Sequence, residues 1–268
     1  MKKFTLIVLA ILVFNSFQVW ATYIHQFETS DGLTKVLIKA DTVNQLFIKP
    51  TVYGFIDNNN KVVFEIECDY VGNFHNGVAK VKKGSKFGFI NKEGKFIIEA
   101  KYNTVSDFSE GLVAVGDSSD QFDKIVDINN KVIGTFEKKI ILSNRVSGEG
   151  LQNGLVLITE DNFGYKFSEG LINIENKFYD KSGKMKFNIP GNSKDCKNGM
   201  ILFSVNINEN GDPKYGYCDC QGKPLLSPQY DVAYDFSVDR AIVGKKGKNL
   251  KFFEINKTGK ILRFVSQK

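Results

Sequence analysis

A chain of 268 residues is long enough for one large hydrophobic core or two modest ones. Phe (23) and Gly (24) are abundant, aromatics reach 13% and Pro is scarce (5), a balance that fits a β-rich repeat protein. Without Lys2 and Lys3 the charge balance is 34 basic to 30 acidic residues, too weak and too dispersed for a nucleic acid or an anionic lipid surface to be the expected partner.

Met1 to Ala21 reads as a secretory signal peptide. Lys2 and Lys3 form a positive start, Phe4 to Phe14 is an apolar run of 11 residues, and Val19-Trp20-Ala21 offers a cleavage point before Thr22. The run falls short of the roughly 20 apolar residues of a membrane span. Export by leader cleavage is therefore expected, with no stable membrane insertion afterwards. No Cys near the cleavage point provides for a lipid anchor. The organisation read from this is 1–21 signal peptide and 22–268 one β-repeat domain, in the periplasm, at the cell surface or outside the cell.

From Tyr23 onward one unit recurs, and Phe87 to Val115 is its clearest copy. It has a short strand, Phe87-Gly88-Phe89-Ile90, a turn, Asn91 to Lys95, a second strand, Phe96-Ile97-Ile98, and a tail from Tyr102 to Phe108-Ser109-Glu110-Gly111-Leu112-Val113-Ala114-Val115. Short apolar runs divided by Gly, Asn and Asp read as strands and turns. The copy beginning Tyr53-Gly54-Phe55-Ile56-Asp57 aligns without a gap: Lys61 with Lys95, Val71 with Val105, Phe74 with Phe108, Gly77 with Gly111. Further copies follow. The stretch from Lys131 to Gly154 is worn, Phe163 to Asn173 looks like a partial tail, and an insertion or broken repeat is expected between Asp127 and Asp180. Asn206 to Lys214 reads as a polar surface loop. Tyr215-Gly216-Tyr217-Cys218-Asp219 opens another full copy. Residues 27–36 resemble a tail without its front, and Phe252 to Leu262 a front without its tail.

The turns give a physical check. A four-residue hairpin loop built on a type I turn needs positive φ at its last residue, which Gly and Asn accept. Six segments fit, beginning at Asp57, Asn91, Asp127, Asp180, Asp219 and Asn256. Each begins with Asp or Asn, whose side chain can accept a backbone N–H two residues on, and each is followed by Lys.

Aromatic-Gly-aromatic-Ile-Asp, then Gly-Lys, then Tyr, then Phe-Ser-Glu-Gly-Leu-x-x-Val resembles the WG repeat of bacterial proteins, best at 53–81, 87–115 and 215–243. Tyr53, Phe87 and Tyr215 stand where that family has Trp, and the only Trp is Trp20. The resemblance implies an extracytoplasmic or surface scaffold and carries no catalytic residue over.

Six fronts and six tails make six units of about 35–40 residues, which suit an all-β repeat protein of about six small sheets. A β-propeller-like closed ring is favoured, completed by pairing residues 27–36 with 252–264. An open β-solenoid, whose ends would need polar caps, is the alternative. In Tyr53-Gly54-Phe55-Ile56 neither face is polar, so both faces of each sheet are expected to be covered, with Gly54 permitting close approach of a neighbouring sheet.

No catalytic, cofactor-binding or metal-ligating set is identified. His25 and His75 are the only histidines, and His75 reads as a turn residue without the partners a general base needs. No Gly-x-Ser-x-Gly, His-Glu-x-x-His or phosphate-binding Gly loop appears. Cys68, Cys196 and Cys218 take core slots and read as buried free thiols, while a Cys68–Cys196 disulfide or a pair involving Cys220 stays open in an exported protein. Cys218-Asp219-Cys220 is too closely spaced for the usual zinc or redox motifs. Asn206 to Tyr217 mimics the start of a calcium loop but lacks its carboxylates. Glu110 and Glu169 read as solvated turn residues. The expectation is a non-enzymatic, exported scaffold for a protein or glycan ligand, without cofactor. The alternatives are a glycan-acting propeller enzyme with carboxylates converging from different sheets, or a purely structural envelope component.

Overall fold

The computed structural model describes residues 25–43, 46–142, 149–152, 155–158, 164–206, 212–247 and 249–265. The signal-peptide reading of 1–21 therefore lies outside the described residues, as do 207–211 of the polar loop. Among the described residues there is no helix long and apolar enough to cross a membrane.

Among the described residues all regular structure is strand, in six four-stranded antiparallel meanders and one two-stranded piece. Sheet one is β1 (His25–Ser30), β2 (Leu33–Val43), β3 (Leu46–Ile56) and β4 (Val62–Glu67). Sheet two is β5 (Tyr70–Val71), β6 (Val78–Lys83), β7 (Lys86–Asn91) and β8 (Phe96–Tyr102). Sheet three is β9 (Thr104–Val105), β10 (Leu112–Gly116), β11 (Gln121–Asp127) and β12 (Val132–Ile141). A two-stranded piece, β13 (Glu149–Gln152) and β14 (Leu155–Ile158), follows where an insertion was expected, and β14 approaches β3. Sheet four is β15 (Phe167–Ser168), β16 (Leu171–Ile174), β17 (Lys177–Asp180) and β18 (Met185–Asn188). Sheet five is β19 (Asn192–Ser193), β20 (Met200–Asn206), β21 (Pro213–Asp219) and β22 (Pro224–Tyr230). Sheet six is β23 (Val232–Ala233), β24 (Arg240–Lys246), β25 (Leu250–Asn256) and β26 (Ile261–Val265).

Each sheet joins the tail of one sequence unit to the front of the next: β10 pairs with β11, and β6 with β7. This phase corrects one expectation. Residues 27–36 do not pair with 252–264; β1 and β2 lie in a sheet with β3 and β4, and β25 pairs with β24 and β26. The two terminal half-units each complete a sheet with their chain neighbour, because strands close in sequence pair at low loop-closure cost.

Five hydrophobic clusters join the sheets in chain order, one to two through five to six. The second-strand and third-strand faces alternate as the pleat dictates. Phe55 faces sheet two, and Ile56 points to the opposite side; both are buried. The central cross-strand pair facing the next sheet is Phe55 with Phe64, Phe89 with Ile98, Phe178 with Phe187 and Tyr217 with Leu226. In sheet six the same pair is Glu254 with Arg263, an ion pair at 2.8 Å. At the other end, Thr29 takes the slot of Phe74 and bonds Thr34 at 2.6 Å.

The glycine of the aromatic-Gly-aromatic strand serves its own sheet. A Cβ at Gly88 would meet Ile98 O at 2.5 Å, and one at Gly216 would meet Leu226 O at 2.5 Å. At both, the register to the fourth strand shifts, so the glycine admits a bulged outer strand rather than a neighbouring sheet.

Candidate functional site

Side chains at equivalent slots form rows that run from sheet to sheet. The first row is the front turns. Asn60, Gly94, Asn130, Gly183, Gly222 and Gly259 all have positive φ, between 60° and 83°. The Asp or Asn that opens the turn accepts two backbone N–H bonds in all six turns, as Asp57 does from Asn59 (2.8 Å) and Lys61 (2.9 Å). The same pair is made by Asn91, Asp127, Asp180, Asp219 and Asn256. The lysine after each turn thus contributes its backbone N–H.

A second row is the tight turn between first and second strands. Asp31, Asn76, Glu110, Glu169 and Asn198 have φ from 49° to 54°, each followed by a glycine with positive φ. These side chains hold the next sheet. The Asp31 carboxylate accepts the Gly77 N–H at 2.7 Å, Glu110 that of Gly170 at 3.1 Å, and Glu169 that of Gly199 at 2.9 Å. Lysines at the second position of the front turns reach back across the same gap. Lys92 donates to Asp31 O at 2.6 Å, Lys257 to Asn198 O at 2.6 Å, and Lys181 pairs with Glu110 at 3.1 Å. Glu110 and Glu169, expected as solvated turn residues, are inter-sheet fasteners. His75 sits exposed in the second of these turns, bridging Val78 through backbone.

The third row was not singled out from the sequence. The residue just before the Phe of the tail is Glu28, Asn73, Asp107, Lys166, Asp195 and Asp235 in the six sheets. Lys80 from sheet two donates to Asp107 of sheet three at 2.8 Å, and burial pushes the Lys80 amine down while Asp107 opposes this. Lys194 pairs with Asp235 at 3.4 Å. Burial raises the Asp195 carboxyl, with Lys166 opposing and Asp235 adding to the rise. Carboxylates from sheets five and six thus lie close enough to feel one another. Alignment of the copies one position upstream of Phe would have revealed this row.

The cysteines divide into two kinds. Cys68 and Cys218 are buried free thiols, as their core slots imply, and burial pushes both up to about 12. Cys196 is not a free thiol. It forms a disulfide with Cys220 across Cα atoms 5.7 Å apart, which corrects the reading of Cys196 and selects Cys220 as its partner. Cys196 stands in the Phe108 slot and Cys220 in the slot of Lys92, Lys181 and Lys257. Glu169 Oε2 lies 3.1 Å from Cys196 Sγ and 3.7 Å from Cys220 Sγ.

The family described as WG containing repeat matches residues 53–87, 87–116 and 215–248. None of the curated proteins compared matches the chain. Among solved structures, a eukaryotic initiation factor is 9% identical, with TM-score 0.46, 88% of this chain and 74% of that one covered. Hsv2 of Kluyvelomyces marxianus is 10% identical, with TM-score 0.39 and 83% and 72% covered. A protein of unknown function from Bacteroides caccae is 12% identical, with TM-score 0.30 and 86% and 93% covered. With the aromatic-Gly-aromatic strands, the capped turns and the matched segments in agreement, the chain carries WG containing repeats at residues 53–87, 87–116 and 215–248.

Proposed function

We propose that this protein is a non-enzymatic, exported repeat scaffold that binds a protein or glycan through one face of its row of sheets. The observation that carries this reading is the use of its conspicuous polar side chains. Asp31, Glu110 and Glu169 hold glycines of the next sheet, and Asp107 and Asp235 are paired with lysines. These groups build a stiff support, which leaves the exposed parts of the turns and outer strands for a ligand. The scaffold is further proposed to close as a propeller-like ring. Val36 and Ile56 are buried on the face of sheet one turned away from sheet two, and β14 approaches sheet one through β3. A closed ring brings sheet six to that face. Small-angle scattering tests closure: a compact chain of this length has a radius of gyration of about 18 Å, and an open stack of sheets about 10 Å apart gives a larger one.

Function is tested by exposing the labelled chain without its leader to isolated cell-wall glycans and envelope proteins. Saturable binding to one class is expected, and no binding to any sinks the proposal. A second reading, a glycan-acting enzyme, is favoured by one observation: the raised Asp195 carboxyl beside Asp235 from the next sheet. It predicts release of reducing ends from a bound glycan, abolished in Asp195→Asn. Binding without turnover excludes it.

A further inference from the structure

We propose that Glu169, Cys196 and Cys220, once their disulfide is reduced, form a binding site for a thiophilic divalent cation of the zinc class. The inference stands apart from the scaffold reading. Among the described residues, these three form the one group of His, Cys, Asp and Glu donors whose ligand atoms all lie within 4.8 Å of one another. The repeat explains the carboxylate and not the sulfurs. Glu169 is aimed here because it accepts the Gly199 N–H, as Glu110 does that of Gly170. The two sulfurs replace a Phe and a Lys of other sheets, and both replacements fall beside the same carboxylate.

The distances suit a metal. Zinc bonds of about 2.3 Å to sulfur and about 2.0 Å to oxygen, at a tetrahedral angle, place sulfur and oxygen about 3.5 Å apart. The observed separations of 3.1 and 3.7 Å bracket that value. The sulfurs must part to about 3.8 Å on the same geometry, which rotation of two side chains on Cα atoms 5.7 Å apart supplies. In the disulfide the sulfurs carry no hydrogen, so the carboxylate faces two lone-pair donors without reward. In the dithiol, Cys196 can donate to it; with a cation present, all three become ligands. Cys196 is buried while Glu169 is exposed, so the cation enters from the carboxylate side, where a water completes four-coordination. Cys218 is excluded as a ligand: its Sγ faces Ile201 O at 4.0 Å.

The chemistry balances. A dithiol reductant supplies two electrons and two protons to the disulfide and becomes a disulfide itself; binding the cation then releases the two thiol protons. The site is closed under oxidising conditions and opens where such a reductant reaches it.

The test uses the chain reduced with a phosphine and freed of reductant, titrated with Zn²⁺ against a chromophoric chelator and with Co²⁺ as a spectroscopic probe. One cation per chain is expected, with a sulfur-to-cobalt charge-transfer band, and none for the oxidised chain. Glu169→Gln keeps an acceptor for Gly199 and the β-sheet circular dichroism, and weakens binding by at least about tenfold, the lower end of what even outer-shell partners cost. Cys218→Ser leaves affinity unchanged. The proposal is overturned if the reduced chain binds no cation or loses its sheet signal. Full affinity in Cys220→Ser, or in Glu169→Gln, overturns it equally.

Discussion

Between the second and third sheets, the slot heading the tight turn holds Phe108, which packs against Phe89 with ring centroids 5.9 Å apart. Between the fourth and fifth, the same slot holds Cys196, and its sulfur is bonded to Cys220, in place of the lysine that other front turns extend to their neighbour. One interface is held by an aromatic plug; the other has a smaller plug, tied by a disulfide to the front turn of its own sheet. Beside the smaller plug, Phe178 and Phe187 stack with ring centroids 4.8 Å apart. Phe55 and Phe64 stack the same way at 4.7 Å in sheet one, yet Phe74 also fills its slot there, so stacking alone does not require the cysteine. What differs is where the stabilisation resides: in packing between sheets at the first, and at the second also in a disulfide within the fifth sheet, which acts largely by constraining the unfolded chain.

The largest expected effect breaks the aromatic interface. Phe89 is 1% exposed and pairs with Ile98 across the strands, so Phe89→Ala should cost about 3–5 kcal/mol in chemical denaturation. Opening the disulfide within the fifth sheet should cost less. The disulfide spans 24 residues, and its loss by Cys220→Ser should cost about 3 kcal/mol. The double change Cys196→Phe with Cys220→Lys restores the repeat's own residues and should recover most of that loss without a covalent bond. If the double variant is as unstable as the single one, the two interfaces are not versions of one design.

Much of this architecture was readable from residues. The six front turns announced themselves because Asp or Asn at the first position and Gly or Asn at the last are each demanded by a backbone geometry, and all six have it. Pairing was less readable. A unit defined by its similarity has no physical need to coincide with a sheet, and Leu112–Gly116 found its partner in Gln121–Asp127 across the unit boundary. The meeting of Glu169, Cys196 and Cys220 was hidden for a different reason: each comes from a different segment, and only their slots in the stacked sheets bring them together. Asp107 and Asp235 were not legible as a row because the equivalent position holds Glu28, Asn73 and Lys166 in other copies.

A smaller effect separates sheet six from the others. Its tight turn puts Val238 at φ +60°, where the other sheets have Asp, Asn or Glu and the branched side chain is least tolerated. Val238 is 72% exposed, so no packing is lost by changing it. Val238→Asn should stabilise the chain by about 1 kcal/mol, the scale of left-handed strain for a non-glycine residue. An unchanged or lower melting temperature would mean that sheet six tolerates this turn for reasons other than strain.

The smallest effect depends on pH and bears on the fifth sheet itself. Burial raises the Asp195 carboxyl in the folded chain above its unfolded value. Between the two values the folded state therefore holds more proton than the unfolded one. Stability from this group is present below the unfolded carboxylate range and falls as pH rises through the folded value. Asp195→Asn removes that dependence. The variant should match the parent in acid and exceed it at neutral pH, with the difference opening on the way up. Asp107, engaged by Lys80 at 2.8 Å in the aromatic-plugged interface, should show no such gain as Asp107→Asn, since that change takes the carboxylate from a buried ammonium. Equal behaviour of the two variants across pH would mean that the row before the phenylalanines is electrostatically uniform, and that the fifth sheet's carboxylate is no different from the third's.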